Sequence, residues 1–120
     1  MDTHLILSLF HIFVVVPFFL YIALNRANTP YYVYKVAFIV GIIITLYHAY
    51  KAFLKYKAGS VSLWVNVMHM LLIGPLLAYI GSQEQNTPRA AYELLAIAAF
   101  GALGYHTYYL IVNMNIVQDK

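Results

Sequence analysis

Four apolar stretches of about twenty residues, separated by short polar segments, set the layout of the chain. Each is long enough to cross a bilayer as a helix, which takes about 20 consecutive apolar residues. The first helix is predicted from about Leu5 to Leu24, with Pro17 inside it. That proline frees the carbonyl of Phe13 and predicts a kink. Asn25 to Thr29 reads as a loop, and Thr29-Pro30 as an N-cap followed by a proline at the first helical position. The second helix continues to about Tyr56, and Ala58-Gly59-Ser60 turns the chain. The third is predicted from about Val61 to Ile80, with Gly74-Pro75 at its kink. A polar loop, Gly81 to Thr87, precedes the fourth helix, which opens at Thr87-Pro88 and ends near Met114.

The same polar positions occur twice. Residues 11–50 and 69–108 align without a gap at an offset of 58, matching at His11/His69, Pro17/Pro75, Tyr21/Tyr79, Asn28/Asn86, Thr29/Thr87, Pro30/Pro88, Tyr34/Tyr92, Tyr47/Tyr105, His48/His106 and Tyr50/Tyr108. Apolar composition alone would produce matches at Leu, Ile and Val, not at His, Pro, Tyr, Asn and Thr. The pattern predicts two tandem helical hairpins, about 4–57 and 61–115, in one membrane domain over 1–120. A repeat of two helices keeps its orientation, so the halves are expected to be related by a pseudo-two-fold axis along the membrane normal. The fold class is all-α integral membrane, a bundle of four transmembrane helices.

Composition agrees. Of 120 residues 63% are hydrophobic and 9% charged, against about 25% charged in soluble domains. The first apolar stretch lacks the basic flank and small-residue cleavage site of a signal peptide and is expected to stay. With no cysteine there are no disulfides and no thiolate ligands. The formal charge of +3 is scattered and gives no nucleic-acid footprint. Lys51, Lys55, Lys57 and Lys120 fall on one side and Arg26, Lys35 and Arg89 on the other, so the positive-inside rule places both termini in the cytoplasm by one residue. The twelve tyrosines group towards the two expected interfaces, as aromatic belts do.

Candidate chemistry sits in the histidines. His11, His48, His69 and His106 occur one per helix, and at about 1.5 Å rise per residue all four fall roughly 9–13 Å from the same end of the bundle. Ser8 and Asn66 lie three residues before His11 and His69, while Gly41, Thr45 and Ala52 share a face with His48, and Ala99, Ala102 and Asn113 with His106. Such small and polar faces point inward in lipid. With neighbouring axes about 8–10 Å apart, an imidazole on each helix can reach a common centre and bind at about 2.0–2.1 Å. Neutral imidazole suits a transition metal: zinc, copper or iron. Haem between two histidines is the lesser alternative, because the bundle would have to swell, helped by Gly41, Gly74, Gly101 and Gly104. No cofactor at all is the remaining case: a buried histidine can simply donate to a backbone carbonyl, one freed at a kink included, or to Asn66. His4 pairs with Ser62 in the repeat and lacks the symmetry argument.

Lys35 and Glu93 occupy equivalent positions with opposite sign, but Arg89 stands four residues before Glu93 and is its easier partner. Asp2, Glu84, Glu93 and Asp119 are too scattered for acid–base catalysis, and no nucleophile–base pair or phosphate loop occurs. Enzymatic activity is therefore not expected unless a bound metal performs it.

The NTP-led helices, the segment WVNVMHMLLIGPLLAYIG and the YELL…GYHTYY ending resemble small multi-pass membrane proteins encoded by large DNA viruses, over Trp64 to Tyr109. The resemblance implies residence in a viral or host membrane and assigns no functional residue. Three functions stay open: metal or haem binding in redox or ion handling, a proton or cation channel or carrier using titratable histidines, and a structural or assembly role. The expected partner is the lipid bilayer, with a homo-oligomer open and no nucleic acid.

Overall fold

The computed structural model describes residues 3–118, and the side chains of residues 3 and 5–112. Asp2, Asp119 and Lys120, and the side chains of His4 and Asn113, lie outside them. Among the described residues all regular structure is helical. There are four long helices: α1 (Leu5–Asn28), α2 (Tyr31–Ala58), α3 (Leu63–Asn86) and α4 (Arg89–Gln118). Each contains a stretch long and apolar enough to cross a membrane.

The two proline-bearing helices change pitch along their length. Regular α-helix up to Phe10 in α1 and Met68 in α3 gives way to a π turn, His11–Val15 and His69–Ile73. There the Val16 and Gly74 N–H groups bond the carbonyls of His11 and His69, five residues back. A proline ring in an α-helix collides with the carbonyl four residues before it, and a widened turn moves that carbonyl aside. At the two prolines where the sequence predicts a kink, the helix carries a π turn just ahead of each. Helix then continues through Val16–Asn25 and Gly74–Gln83 and tightens into 3-10 turns, Arg26–Asn28 and Glu84–Asn86. These segments, and the starts of α2 and α4, recur at the 58-residue offset of the sequence repeat.

The helix ends correct several sequence expectations. The polar stretch after Ile80 is helical to Gln83 rather than a loop, and α3 begins at Leu63, two residues late. α4 continues to Gln118, past the expected end near Met114. Thr29 and Thr87 do not cap the helices that follow. Thr87 Oγ1 instead donates back to the Ile80 and Glu84 carbonyls, and α2 starts at Tyr31, after Pro30 in extended conformation. The reason lies in the turn itself. Arg26 (φ 49°, ψ −126°) and Glu84 (φ 54°, ψ −130°) reverse the chain in a region L-residues rarely occupy. Their carbonyls then accept from the Thr29 and Thr87 N–H groups at 3.0 and 3.1 Å, so the tip is closed from behind.

The closest packing runs between the repeats, α2 along α3 and α1 along α4. Three glycines bring α2 and α3 together. A Cβ on Gly41 would meet the Ala78 backbone, with Ala78 Cα at 2.8 Å; on Gly74 it would meet Thr45; on Gly81 it would stand 2.6 Å from the Tyr34 carbonyl. Their counterparts in the α1–α4 contact are Ala99, Val16 and Ala23, all buried, so the two contacts share positions but not closeness. Phe19, Ile22, Ala37, Leu77, Ile80 and Leu95 fill the interior. Outward faces carry Phe13, Leu24, Ile43, Leu71 and Ile97, all largely exposed. An outer surface this apolar suits hydrocarbon rather than water.

Candidate functional site

All four predicted histidines come together, each half-buried. The rings form one row. His106 stacks on His11 with centroids 4.2 Å apart, His11 meets His69 edge-on at 6.4 Å, and His69 stacks on His48 at 4.4 Å. Exchanging the repeats carries His11–His106 onto His69–His48, so the row reads the same from either end. Of the residues expected on the inner faces, Ser8, Asn66, Gly41, Ala52 and Ala99 are buried, Thr45 and Ala102 are half-buried, and the side chain of Asn113 lies outside the described residues.

The ring nitrogens are partly committed. His11 Nδ1–H donates to the Leu7 carbonyl and His69 Nδ1–H to the Val65 carbonyl, both at 2.7 Å. These are the bonds that a purely structural histidine makes. Each takes up only one nitrogen, however, and fixes the tautomer: in the neutral ring Nε2 then carries the lone pair. A ligating histidine likewise donates its other N–H to a carbonyl or carboxylate, which orients the ring. His48 differs. Its Nδ1 accepts from the Asn66 amide at 2.9 Å, which leaves the proton on Nε2. Asn66 is buried, and its Oδ1 has no hydrogen-bond partner. Half a turn of that amide would present Oδ1 to His48, satisfy the oxygen and give His48 the tautomer of His11 and His69. Ser8, whose hydroxyl can either donate or accept, holds the equivalent place in the first repeat.

Two stacked pairs do not converge on a point. Among the described residues no three His, Asp or Glu side chains stand as ligands around a common position. The four glycines named for a haem do not open space for one. Gly41 and Gly74 are filled by the neighbouring helix, and Gly101 and Gly104 are exposed on the outside, where a Cβ would meet nothing within 4 Å.

A second polar layer lies near the opposite end. Tyr34 and Tyr92, both buried, hydrogen-bond each other at 2.8 Å. The Tyr34 hydroxyl reaches the Arg26 carbonyl at 2.7 Å and the Tyr92 hydroxyl the Glu84 carbonyl at 3.3 Å. The two tyrosines thus stand between the Arg26 and Glu84 turns. Sequence reasoning assigned both tyrosines to an aromatic belt, although their recurrence at the 58-residue offset was a visible signal. Between the two layers the interior is the apolar core of Phe19, Ile22, Leu77, Ile80 and Leu95.

Arg89 pairs with Glu93 on the surface at 3.0 Å, the local partner that the spacing predicted. Lys35 lies instead over the Tyr31 ring, 4.8 Å from its centroid. No protein-family model, curated protein or solved structure matches the chain.

Proposed function

We propose that this is a multi-pass membrane protein whose layer of histidines binds a transition-metal ion within the bilayer. One observation carries the reading: His11 and His69 meet edge-on across the repeats, each oriented by an Nδ1–H bond that keeps Nε2 basic. Those two would supply the first ligands. His48 would join once Asn66 turns its oxygen to Nδ1, and His106 from its stack on His11. The buried Asn66 oxygen without a partner fits such a rearrangement. A bare ion suits the site better than haem, because no glycine beside the histidines makes room for a macrocycle. Once bound, the ion would supply a redox or Lewis-acid centre held away from water.

The two hairpins are read as related by a pseudo-two-fold axis along the membrane normal, with both termini in the cytoplasm. This rests on the repeated hydrogen bonds and on the lysines of α2. A proton relay along the four touching rings is the second reading, favoured by their stacking. The apolar core between the histidine and tyrosine layers argues against a through-path in one chain.

Elemental analysis and a visible spectrum of protein purified without chelator test the proposal. Metal should be present near one ion per chain. Replacing His11 or His69 by Ala should reduce retention by at least about ten-fold, the lower bound for losing even an outer-shell partner. Retention should fall as pH drops below about 6, because a ligating imidazole must be neutral and the free ring titrates near 6.5. Protein that carries no metal and takes up zinc, copper or iron no better than the His11→Ala, His69→Ala double variant would refute it. Histidine-dependent proton flux in liposomes would then support the relay.

A further inference from the structure

At the end of the bundle away from the histidines, an open cleft of about 370 Å³ lies between the start of α2 and the end of α3. Phe38, Ile39 and Gly81 give it an apolar floor, while Lys35, Ser82 and Glu84 bring polar groups to it. We propose that this cleft binds the headgroup of a zwitterionic aminophospholipid, with Lys35 taking the phosphate and Glu84 the primary ammonium.

Three observations carry this. Lys35 and Glu84 line one cleft with opposite charges, yet among the described residues the one ion pair within 4.0 Å is Arg89–Glu93. Lys35 lies over the ring of Tyr31, which also lines the cleft, yet among the described residues neither Lys35 nor Glu84 has an ion-pair partner, and a cation and an anion so placed match a ligand carrying both charges. The cleft is also where the repeats part company. At the equivalent place, between the start of α4 and the end of α1, the counterparts of Lys35, Glu84, Ser82 and Phe38 are Glu93, Arg26, Leu24 and Ala96. Both charges are reversed there, and Glu93 is already engaged by Arg89. Tyr34, Thr29 and Pro30, a few residues away, are unchanged between the repeats. Finally, the cleft lies about one turn inside the start of α2, which is headgroup depth on the membrane-spanning reading proposed above, and the exposed Ile39 and Phe38 continue from it. A glycerol backbone and the first acyl carbons would lie along them.

The Glu84 backbone is suited to this use. Its positive φ is held by the bonds that the Thr87 N–H and hydroxyl donate to its carbonyl, so the carboxylate springs from a braced turn rather than a loose loop. Gly81 cannot carry a side chain, since a Cβ would strike the Phe38 and Tyr34 backbones; the cleft floor is correspondingly bare. The ammonium of ethanolamine offers hydrogen bonds to a carboxylate that the trimethylammonium of choline cannot, which sets the preference between the two zwitterions.

The test is lipid binding to the full-length protein in detergent, read by native mass spectrometry. The probes are dioleoyl phosphatidylethanolamine, phosphatidylcholine and phosphatidylglycerol, and water-soluble phosphoethanolamine. Phosphatidylethanolamine should bind about ten-fold more tightly than phosphatidylcholine or phosphatidylglycerol, the factor one charge-assisted hydrogen bond supplies. Lys35→Gln and Glu84→Gln should each remove that preference, and Arg89→Gln should leave it intact, with helix content by circular dichroism unchanged in all three. Equal binding of the three lipids, or a preference that survives both cleft variants, would overturn the proposal. So would soluble phosphoethanolamine competing at the lipid's own concentration, which would mark the ligand as a free metabolite. Metal content reports separately on the histidine layer, about 20 Å away along α2, so the two proposals fail independently.

Discussion

Tyr34 and Tyr92 show how much one hydroxyl proton decides. Three acceptors compete for two protons: the Arg26 carbonyl, the Glu84 carbonyl and whichever tyrosine oxygen receives the mutual bond. The distances indicate the allocation. Tyr34 donates to Arg26 at 2.7 Å, Tyr92 donates to Tyr34 at 2.8 Å, and Glu84, at 3.3 Å, has the weakest claim. Tyr34→Phe removes both the bond to the Arg26 carbonyl, which keeps the Thr29 N–H, and the acceptor of the mutual tyrosine bond, and should cost about 1–3 kcal/mol, two bonds at about 0.5–1.5 kcal/mol each. Tyr92→Phe leaves the Arg26 bond in place and should cost only about 0.5–1.5 kcal/mol. Thermal unfolding of both variants in detergent checks the order, and equal losses would show that the protons are shared differently. The histidines were legible because a titratable residue is rare in an apolar helix and these four shared a level. The tyrosine pair was not singled out, because twelve tyrosines in a chain with four apolar helices long enough to cross a membrane have a sufficient explanation as interface belts, and only three-dimensional placement separates Tyr34 from Tyr31.

Among the elements, the four helices could be read directly from apolar length, but their ends could not. Gly81, Ser82 and Gln83 look like loop by composition, yet they continue α3 because the reversal is made later, by the unusual backbone of Glu84. No residue type announced it, since glycine is the usual marker of positive φ and neither Arg26 nor Glu84 is one. Small residues were likewise legible as close-packing positions, but not which of them pack. Gly41, Gly74 and Gly81 do; Gly101 and Gly104 face open space. Gly41→Ala and Gly81→Ala should force α2 and α3 apart and cost at least about 1–3 kcal/mol, the usual penalty for overfilling a packed contact. Gly101→Ala and Gly104→Ala should be neutral or stabilise by up to about 1 kcal/mol through helix propensity. Melting temperatures of the four variants decide it, and a loss at Gly101 as large as at Gly41 would reveal a packing partner beyond this chain.

For the whole molecule, the repeat predicts two tandem helical hairpins in one bundle, and each packs chiefly on the other rather than on itself. The principal partner of α1 is α4, and that of α2 is α3, so each hairpin finds its main interface in the other. The histidine row follows the same rule, with both stacked pairs joining residues of different repeats. So does the Tyr34–Tyr92 bond. Sequence periodicity cannot reveal this, because two hairpins side by side and two interleaved hairpins present the same apolar faces. Cutting the chain at the turn around Gly59, an exposed residue with φ of 66°, distinguishes the two arrangements. Either half made alone lacks the opposing helices and half of each histidine pair, and should neither unfold cooperatively nor retain metal. Both halves made together in one membrane should associate, because the cut falls in an exposed turn while the buried core lies between the halves. Co-purification of one tagged half with the other, and metal content restored to that of the intact chain, are the expected results. A single half that melts as sharply as the whole protein would mean that each hairpin packs on itself, and the interleaved arrangement would then have to be abandoned.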